Sequence, residues 1–460
     1  MGERPVSGGV IVHETHTHVT EQIKSLLATG TEEALIDFVD TLHPADIVDL
    51  LEELDEAERS TFFHAIPADV AADIVEELEP IDQAELIRLM GAERSSEILR
   101  EMDSDDAADL IAELPAAKAE TLLDLMDIHG EDVRELLQYD EHSSGGIMAT
   151  EYVSVHSEWT VEQTLSELRR VAPEAETVYY IYVLDDDEQL VGVLSFRDLV
   201  VAALDTRIDA IMNTNVLSVP VEADQEDVAQ LFKKYRFLAL PVVDKENKLT
   251  GIITADDILD VFEEEATEDI QKIAGTTPLE HPYFSSSIKE LWSSRIVWLL
   301  VLFLAASLSG GIMQKFSTAM QTMIELTFFV PLLIDCGGNA GSQASTVVIR
   351  GLAVRDIRLR DIWAVMAREL VVGLGLGAVM AGIGFLRAWR VGGSSAIGIV
   401  VSLAVLAIVV FSTVLGAILP IVATALRVDP AVMSAPLITT IVDAVGLLIY
   451  FSIAQLVLQV

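Results

Sequence analysis

Charge is distributed very unevenly along this chain of 460 residues. Of its 73 acidic and 29 basic side chains, 65 acidic and 18 basic ones precede His281, so the first 280 residues carry a net charge of −47. The last 180 residues hold 8 acidic and 11 basic side chains and are largely apolar. A soluble part this acidic repels itself unless cations lie among its carboxylates. The sequence therefore predicts a membrane protein with a cation-responsive cytoplasmic part.

Several classes of protein are excluded by these features. The first thirty residues contain no apolar segment typical of a signal peptide, so we expect the acidic part to stay in the cytoplasm. Cys336 is the only cysteine, which excludes an intramolecular disulfide and a cysteine-based metal site within one chain. An acidic surface cannot neutralise phosphate groups, so a nucleic-acid partner is not expected.

Apolar residues recur every twelve positions in the first third of the chain. The series is Leu42, Leu54, Ile66, Leu78, Met90, Met102, Leu114 and Met126. Turn residues lie close to many of these positions, and helical i, i+3, i+4 patterns run between them. Short helices at a fixed period predict stacked helical hairpins. We therefore expect an all-α superhelical N domain at 31–138, which serves either as a plain scaffold with a solvated acidic face or as a cation-binding surface.

An N-terminal tail, residues 1–30, precedes the repeat. It contains His13, His16 and His18, which could bind a transition metal. A disordered tail without a ligand is the expected state.

The pattern changes near residue 139 to β-type segments that occur twice, about 60 residues apart. The predicted strands are Thr177–Leu184, Leu190–Val193, Phe237–Val243 and Leu249–Ile253. Both copies open with a Gly-Ile-Met or Ala-Ile-Met motif, at Gly146 and Ala210, and close with a glycine-to-aspartate motif at Gly192 and Gly251. These motifs resemble a tandem CBS pair, with an α/β fold at 139–203 and 204–263.

The resemblance to CBS pairs implies that this part could bind an adenine nucleotide such as ATP. The residues implied by position are Tyr180, Arg197, Asp198 and Phe237. A regulatory dimerisation module without a nucleotide is the alternative.

The segment from Asp256 to Asp269 is crowded with carboxylates, which occupy eight of its fourteen positions. On a helix, Asp257, Asp260, Glu264 and Glu268 fall on one face. Carboxylates this close repel one another by a kilocalorie or more per pair. A divalent cation with a preference for oxygen ligands, Mg²⁺ or Ca²⁺, converts that repulsion into attraction. A helical linker, Ile270 to Trp292, follows this segment, and we place the linker region as a whole at 264–290. We therefore expect a gating role unless the acidic segment is simply a solvated helix.

The remainder of the chain, 291–460, reads as an all-α domain of five transmembrane helices. The apolar segments are Ile296–Gln314, Leu326–Val348, Leu370–Leu386, Val391–Leu426 and a last span from near Ala431 to Val460. About twenty apolar residues suffice to cross a bilayer. Arginines between spans two and three, from Arg350 to Arg368, indicate a cytoplasmic loop. The N-terminus is then cytoplasmic and the C-terminus extracytoplasmic.

Two carboxylates lie within these apolar segments, Asp335 and Asp443. A charge in hydrocarbon is costly and normally faces a polar pathway. The sequence that follows Asp335, from Gly337 to Gln343, is rich in glycine, which favours a broken helix whose free carbonyls line a cavity. Carboxylate, amide and carbonyl oxygens there would accept hydrogen bonds from the waters of a hydrated cation.

The combination of these parts resembles the MgtE family of magnesium channels. The shared features are the acidic repeat, the CBS pair, the acidic linker and five spans that carry Pro331, Gly337-Gly338-Asn339, Gln343, Pro436, Asp443 and Gly446. The resemblance implies a homodimer in a bacterial-type plasma membrane, with the pore at the dimer axis and with cytosolic Mg²⁺ closing it.

The same resemblance implies two groups of site residues. The implied ion pathway is formed by Asp335, Gly337, Gly338, Asn339, Gln343, Thr439 and Asp443. The implied regulatory Mg²⁺ ligands are Asp73, Asp105, Asp109, Asp224, Glu226, Asp257, Asp260, Glu265 and Glu268. Three residues depart from the family pattern: Arg236 affects one regulatory site, whereas Ser342 and Ala435 change the polarity of the pore.

Two alternatives remain beside a Mg²⁺ channel. A broader transporter of divalent cations such as Co²⁺, Mn²⁺ or Zn²⁺ would use the same oxygen ligands, although these disfavour soft metals. An intramembrane aspartyl protease would use Asp335 and Asp443 as its dyad, but the chain has no Gly-x-Gly-Asp motif. We therefore expect a protein that is not an enzyme.

Overall fold

The structure is a computed structural model that describes residues 13–51, 53–172, 175–279, 283–392 and 394–459. The chain divides into two compact units, Met1–Glu263 (unit 1) and Glu264–Val460 (unit 2). Unit 1 holds the helical repeat and two small sheets, and unit 2 holds long apolar helices.

Ten helices make up the first part of unit 1. They are α1 His13–Thr29, α2 Glu32–Val39, α3 Pro44–Leu51, α4 Glu56–Ala65, α5 Ala68–Glu76, α6 Pro80–Met90, α7 Ala92–Leu99, α8 Ser104–Ala112, α9 Ala116–Leu125 and α10 His129–Leu136. Helices α2 to α9 begin at twelve-residue intervals, which confirms the predicted period. The tail differs from the expectation, since His13–Thr29 is helical and buries Thr20 and Ile23. The histidine side chains of the tail lie outside the described residues.

Each helix of the repeat packs on the next but one, so that α3, α5, α7 and α9 form one row and α2, α4, α6, α8 and α10 another. The apolar stripes of both rows meet in a core that includes Phe62, Phe63 and Ile87, all fully buried. Asp55 begins α4 with a reciprocal capping box to Glu58. The predicted helical scaffold is confirmed, and most of its charged residues remain on the outer faces, with Asp105 as a buried exception.

Two three-stranded sheets with their helices complete unit 1. The elements are β1 Ser154–His156, α11 Val161–Val171, β2 Tyr180–Leu184, β3 Leu190–Ser195, α12 Phe196–Val201, β4 Val219–Pro220, α13 Gln225–Tyr235, β5 Ala239–Val243 and β6 Leu249–Thr254. In each sheet the first strand is parallel to the second and the second antiparallel to the third. The predicted duplication and its α/β character are confirmed, whereas the short strands β1 and β4 were not predicted.

The acidic segment forms α14, Asp257–Ile273, which crosses the boundary between the two units. It ends only three residues beyond the start of the expected helical linker, Ile270 to Trp292, so the prediction of a continuous helix as far as Trp292 is wrong. The termination has a local cause: Gly275 takes φ +76°, and the amide of Ala274 donates to the carbonyl of Ile270 as the last helical bond. Glycine adopts this left-handed conformation without steric cost.

Among its described residues, unit 2 contains five long helices and one short one, beside the last part of α14. These are α15 Ile288–Lys315, α16 Ser317–Thr322, α17 Val330–Ala353, α18 Ile362–Gly392, α19 Ser395–Ala425 and α20 Ala435–Leu458. Among the described residues, four segments are long and apolar enough to cross a membrane: Ile288–Lys315, Leu359–Val391, Ser395–Ala425 and Ala435–Leu458. The fifth long helix, α17, carries Asp335, Asn339 and Gln343, which make it more polar than the others.

The expectation of a broken helix at Gly337–Gly341 is wrong, because α17 is continuous from Val330 to Ala353. The glycines instead allow close helix packing. A Cβ atom on Gly341 would lie 2.9 Å from Ile438 of α20, and one on Gly416 of α19 would lie 2.2 Å from the carbonyl oxygen of Gly341. Small residues at helix contacts let the backbones approach closely in a membrane.

Candidate metal sites and ion pathway

The first candidate metal site lies in the helical repeat, where the end of α5 meets the start of α8. Oxygen atoms of Glu76, Asp103 and Asp106 lie within 4.8 Å of one another. The Glu76 carboxylate accepts a hydrogen bond of 3.1 Å from the amide of Asp103. Because Asp103 precedes α8 and Asp106 stands in its first turn, the positive end of the helix dipole favours negative charge at this point.

The second cluster joins the two CBS modules. It consists of Glu176, which precedes β2, together with Asp256 and Asp257 at the start of α14, with oxygens within 4.8 Å of one another. Thr254 at the end of β6 orients Asp257, since its amide and its hydroxyl donate to Asp257 Oδ2 at 2.9 and 2.8 Å. One oxygen of Glu176 is enclosed by protein.

Asp105 connects these clusters. Its side chain is buried, at 8% exposure, in the first turn of α8. Burial raises the pKa of Asp105, and the nearby charges of Asp257, Asp106 and Glu176 raise it further. The helical repeat, the first CBS module and the second CBS module thus contribute carboxylates to one acidic surface, which we call the sensor cluster (Glu76, Asp103, Asp105, Asp106, Glu176, Asp256 and Asp257).

The pKa values of other carboxyl groups in the sensor cluster are raised in the same way. Burial, followed by neighbouring carboxylates, raises the pKa of Glu76 to about 7 and that of Asp103 to about 6. For the same reasons the pKa of Asp106 rises to about 8 and that of Glu176 to about 9. Carboxyl groups crowded in a partly desolvated place hold protons unless a cation replaces them. The donor set contains only hard oxygens, which fits Mg²⁺ or Ca²⁺.

Glu151, which precedes β1, closes one side of the sensor cluster. Its Oε2 accepts hydrogen bonds from the Ser104 hydroxyl at 2.8 Å and from the Thr150 amide at 3.0 Å. These bonds tie the start of α8 to the first CBS module. The Glu151 charge is also among the causes that raise the pKa of Asp103.

The structure brings some of the predicted Mg²⁺ ligands together. Asp105 and Asp257 belong to the sensor cluster, and Asp109 lies near enough for its charge to raise the pKa of Asp106. Asp260 stands one turn beyond Asp257, where burial raises its pKa, with further contributions from Glu263, Asp256 and Glu77. Asp73 is on α5, and its charge contributes to the raised pKa of Glu76 and Asp103.

The remaining predicted ligands lie elsewhere. Asp224 caps α13 by accepting a hydrogen bond of 2.9 Å from the amide of Glu226, and neither residue is in the two carboxylate groups found among the described residues. Glu268 is in the unit 2 part of α14, where it forms an ion pair with Lys272. Glu265 is on the same part of the helix, and its charge contributes to the raised pKa of Asp269.

Sequence reasoning missed Glu76, Asp103, Asp106, Glu151, Glu176 and Asp256. Most of them contact partners that are far away in the sequence, so no local spacing pattern identifies them. Two signals were available: the paired acidic residues at the start of α8, Asp105-Asp106, which follow Asp103-Ser104, and the acidic segment that begins at Asp256.

The candidate ion pathway lies where α17 contacts α20. Gly337 and Gly338 of α17 pack against α20, since a Cβ atom there would lie 2.7 Å from Val442 and 3.0 Å from Thr439 respectively. The Thr439 hydroxyl donates to the carbonyl of Pro436 at 2.9 Å. Asp443 follows one turn later and is half-buried.

A second face of α17 carries a polar stripe. Asp335, Asn339 and Gln343 stand four residues apart and are exposed in the single chain. Helical geometry places residues at i, i+4 and i+8 on one face. The structure therefore separates the predicted pathway residues into a glycine face that packs internally and a polar face that remains open.

The residues predicted to bind a nucleotide lie on the CBS modules. Tyr180 of β2 is paired with Ser195 of β3, and Ser195 in turn donates its hydroxyl to Asp198 at 2.6 Å. Phe237 stacks on Tyr235 with ring centroids 5.4 Å apart. Arg197 is in the first turn of α12.

Comparisons with known proteins cover almost all of these parts. Residues 42–142 match the MgtE intracellular N domain, residues 145–205 and 208–264 match the CBS domain, and residues 330–453 match the MgtE domain described as a divalent cation transporter. The chain is 44% identical over 330 residues to the magnesium transporter MgtE of Thermus thermophilus, which covers 71% of this chain and 73% of the relative.

Two further matches agree with this one. The magnesium transporter MgtE of Bacillus subtilis is 37% identical over 322 residues, which covers 70% of this chain and 71% of the relative. The crystal structure of the cytosolic domain of the Mg²⁺ channel MgtE in complex with ATP aligns with a TM-score of 0.50 and 42% identity, over 53% of this chain and 99% of that one.

Proposed function

Because this chain belongs to the MgtE family of magnesium transporters, we propose that it conducts Mg²⁺ into the cell and that intracellular Mg²⁺ closes it at the sensor cluster. One observation carries the regulatory part of this proposal. Buried and half-buried carboxylates from the helical repeat and from both CBS modules meet at Asp105, Glu176 and Asp257.

Electrostatics gives the direction of the response. Without a divalent cation, the carboxylates of the sensor cluster either bind protons or repel one another. Mg²⁺ prefers oxygen ligands and brings two positive charges, so its binding favours the state in which the helical repeat lies against the CBS pair. When Mg²⁺ is scarce, repulsion separates these parts and frees the Asp257 end of α14, the linker helix, so that the pore opens.

Asp73, Asp109 and Asp260 support the sensor cluster as further carboxylates close to it. The roles of Asp224, Glu226 and Glu265 as ligands rest on the family resemblance. Arg236, which departs from the family pattern, has φ +56° and caps α13.

For the pore, we propose that Asp443 and Thr439 of α20 act with the polar stripe of α17, Asp335, Asn339 and Gln343. Mg²⁺ gives up its waters reluctantly, so oxygens that accept hydrogen bonds from a hydrated ion suit its passage. The stripe is open in the single chain, which supports a pathway at the axis of a homodimer. Gly337 and Gly338 set the approach of α17 to α20 rather than supply carbonyl ligands.

The apolar helices and the family place the chain in the plasma membrane as a multi-pass protein. We propose that the arginines from Arg350 to Arg368 hold the loop between α17 and α18 in the cytoplasm. The N-terminus is then cytoplasmic and the C-terminus extracytoplasmic. The relatives are named as transporters, which supports transport over the proteolytic alternative, and the acidic surface disfavours nucleic acid as a partner.

ATP is the proposed second ligand, at Tyr180, Arg197, Asp198 and Phe237. The match to an MgtE cytosolic domain in complex with ATP supports it. The cation of Arg197 suits a phosphate group, and aromatic faces suit an adenine ring. Isothermal titration of the intact protein with ATP, in wild type and in Arg197→Ala, tests this assignment; equal affinities would remove it.

Currents in inside-out patches test the main proposal. Raising Mg²⁺ on the cytoplasmic side should close the wild-type channel, and the triple change of Asp257, Asp260 and Glu265 to alanine should leave it open at the same concentration. Closure of both at one concentration contradicts the sensor assignment. Inhibition of Mg²⁺ uptake by Co²⁺, Mn²⁺ and Zn²⁺ distinguishes a selective channel from a broader divalent-cation transporter. The broader reading is kept because the family model that matches residues 330–453 is described as a divalent cation transporter.

A further inference from the structure

The last turn of α14 carries Lys272, the one basic residue of this helix. Its Nζ donates a hydrogen bond of 2.7 Å to Asp429 Oδ2 and also contacts the carboxylate of Glu268, one turn earlier. The Lys272 and Asp429 side chains are 23% and 36% exposed. All three residues belong to unit 2.

Asp429 also forms a second hydrogen bond. Its other oxygen, Oδ1, accepts a hydrogen bond of 2.8 Å from the amide of Ala431, which orders the 3₁₀ turn Pro430–Val432. That turn leads through Ser434 directly into α20. A single carboxylate thus shapes the entry to α20 with one oxygen and holds the linker helix with the other.

A contact without charge lies beside the ion pair. Gly275, two residues beyond the end of α14, takes φ +76°, and a Cβ atom there would lie 3.1 Å from Cγ of Pro436. Pro436 is in the first turn of α20. The backbone that follows the linker helix therefore packs against the start of α20. The Lys272–Asp429 ion pair is a second contact at the same junction.

Carboxylates outnumber the cation at this junction. Burial raises the pKa of Asp269, and the charge of Asp429 raises it further, whereas Lys272 lowers it. Glu265 and Glu268 add to the negative charge. Lys272 offsets the repulsion that Asp429 would otherwise exert on the linker helix.

We propose that Lys272 is a positioning residue for ion conduction, whose ammonium group fastens the linker helix to the turn that begins α20. The inference rests on the proposed function, because α20 carries Thr439 and Asp443. The ammonium group is part of the chain, so this junction stays closed at every Mg²⁺ concentration. The cation-dependent step then lies at the Asp257 end of the helix, and Glu268 serves as a partner of Lys272 rather than as a Mg²⁺ ligand.

The test is the Mg²⁺ dependence of single-channel open probability in inside-out patches of the full-length protein. The ratio of open probability without Mg²⁺ to that in saturating Mg²⁺ should fall about fivefold or more in Lys272→Gln and in Asp429→Asn, a change of the size expected for lost coupling. Lys272→Arg should keep most of the ratio.

Lys289→Gln is the matched control, because Lys289 is an exposed lysine at the start of α15 and its loss changes the net charge equally. Lys272→Gln and Asp429→Asn each remove one partner of the ion pair. If one variant misfolds, the other can still be measured. A wild-type ratio in Lys272→Gln or Asp429→Asn overturns the proposal. A wild-type protein that passes no Mg²⁺ current at all would instead contradict the proposed function.

Discussion

The buried carboxylate of Asp105, at the start of α8, lies close enough to Asp257, at the start of α14, for the two charges to interact strongly. One belongs to the helical repeat and the other to the second CBS module. Two helix N-termini thus present negative charge to the same place, which is stable only when protons or cations are bound there. Under the proposed function, occupancy of this site by Mg²⁺ would couple the helical repeat to α14.

Glu176 offers the sharpest test of the sensor cluster, since it comes from the first CBS module and was not apparent in the sequence. Glu176→Gln keeps the size of the side chain but removes one negative ligand. We expect the Mg²⁺ concentration for half closure to rise about tenfold, an effect typical of a changed metal environment. Patch-clamp titration measures it. Glu162→Gln, on the exposed face of α11 in the same module, should behave as wild type, and an unchanged midpoint in Glu176→Gln would remove this residue from the site.

The raised pKa values predict how stability depends on pH without Mg²⁺. The pKa values are about 7 for Glu76, about 8 for Asp106 and about 9 for Glu176, whereas unfolded carboxyl groups titrate near pH 4. Between these values the native state holds protons that the unfolded state has released. The contribution of these groups to stability is therefore fully present below about pH 4. It is lost as the pH rises through the folded-state pKa values, up to about 9.

Thermal unfolding of the intact, Mg²⁺-free protein in detergent, followed by tryptophan fluorescence, measures this dependence. The midpoint temperature should fall across that pH range, and saturating Mg²⁺ should flatten the slope because the cation replaces the protons. A midpoint that rises with pH in the absence of Mg²⁺ is the opposite sign and contradicts the protonation account.

Asp443 is the charge on α20 that we place in the pore. Asp443→Asn should reduce Mg²⁺ uptake into proteoliposomes more than about tenfold, because the carboxylate supplies attraction that the ion needs to leave bulk water. Asp356→Asn, in the exposed loop between α17 and α18, is the control and should transport normally. Uptake that persists at the wild-type rate in Asp443→Asn would show that the ion passes elsewhere.

Gly416 tests the packing of the transmembrane helices independently of transport. A Cβ atom at Gly416 would lie 2.2 Å from the carbonyl oxygen of Gly341, whereas one at Gly310 would meet nothing within 4 Å. Gly416→Ala should therefore destabilise the protein by about 1–3 kcal/mol or more, the cost of overpacking. Gly310→Ala should have little effect. Melting temperatures in detergent compare the two, and equal values would mean that α17 and α19 separate easily.

Much of the fold follows from periodic signals in the sequence. The twelve-residue spacing from Leu42 to Met126 predicted the repeat because each short helix buries one stripe on its neighbours. The strands β2, β3, β5 and β6 were evident because buried β segments are long apolar runs. The strands β1 and β4 were not, since two or three residues carry no recognisable pattern.

The glycines of α17 show where sequence reasoning fails. A glycine-rich segment signals either a broken helix or a close helix contact, and only the partner decides between them. Gly341 meets Gly416 across 75 residues of sequence, so nothing local identified the contact. The sensor cluster was incompletely predicted for the same reason. Asp105 and Asp257 were predicted as ligands, but their proximity to Glu176 depends on how the repeat and the two CBS modules pack.

The continuity of α17 has a consequence for how an ion moves. Asp335, Asn339 and Gln343 stand on an unbroken helix that rises about 1.5 Å per residue, so successive side chains are about 6 Å apart along the axis. This face therefore presents one carboxylate and two neutral amides at even intervals. In the proposed pathway, a hydrated ion would exchange its waters from one side chain to the next and would not shed its whole hydration shell at once.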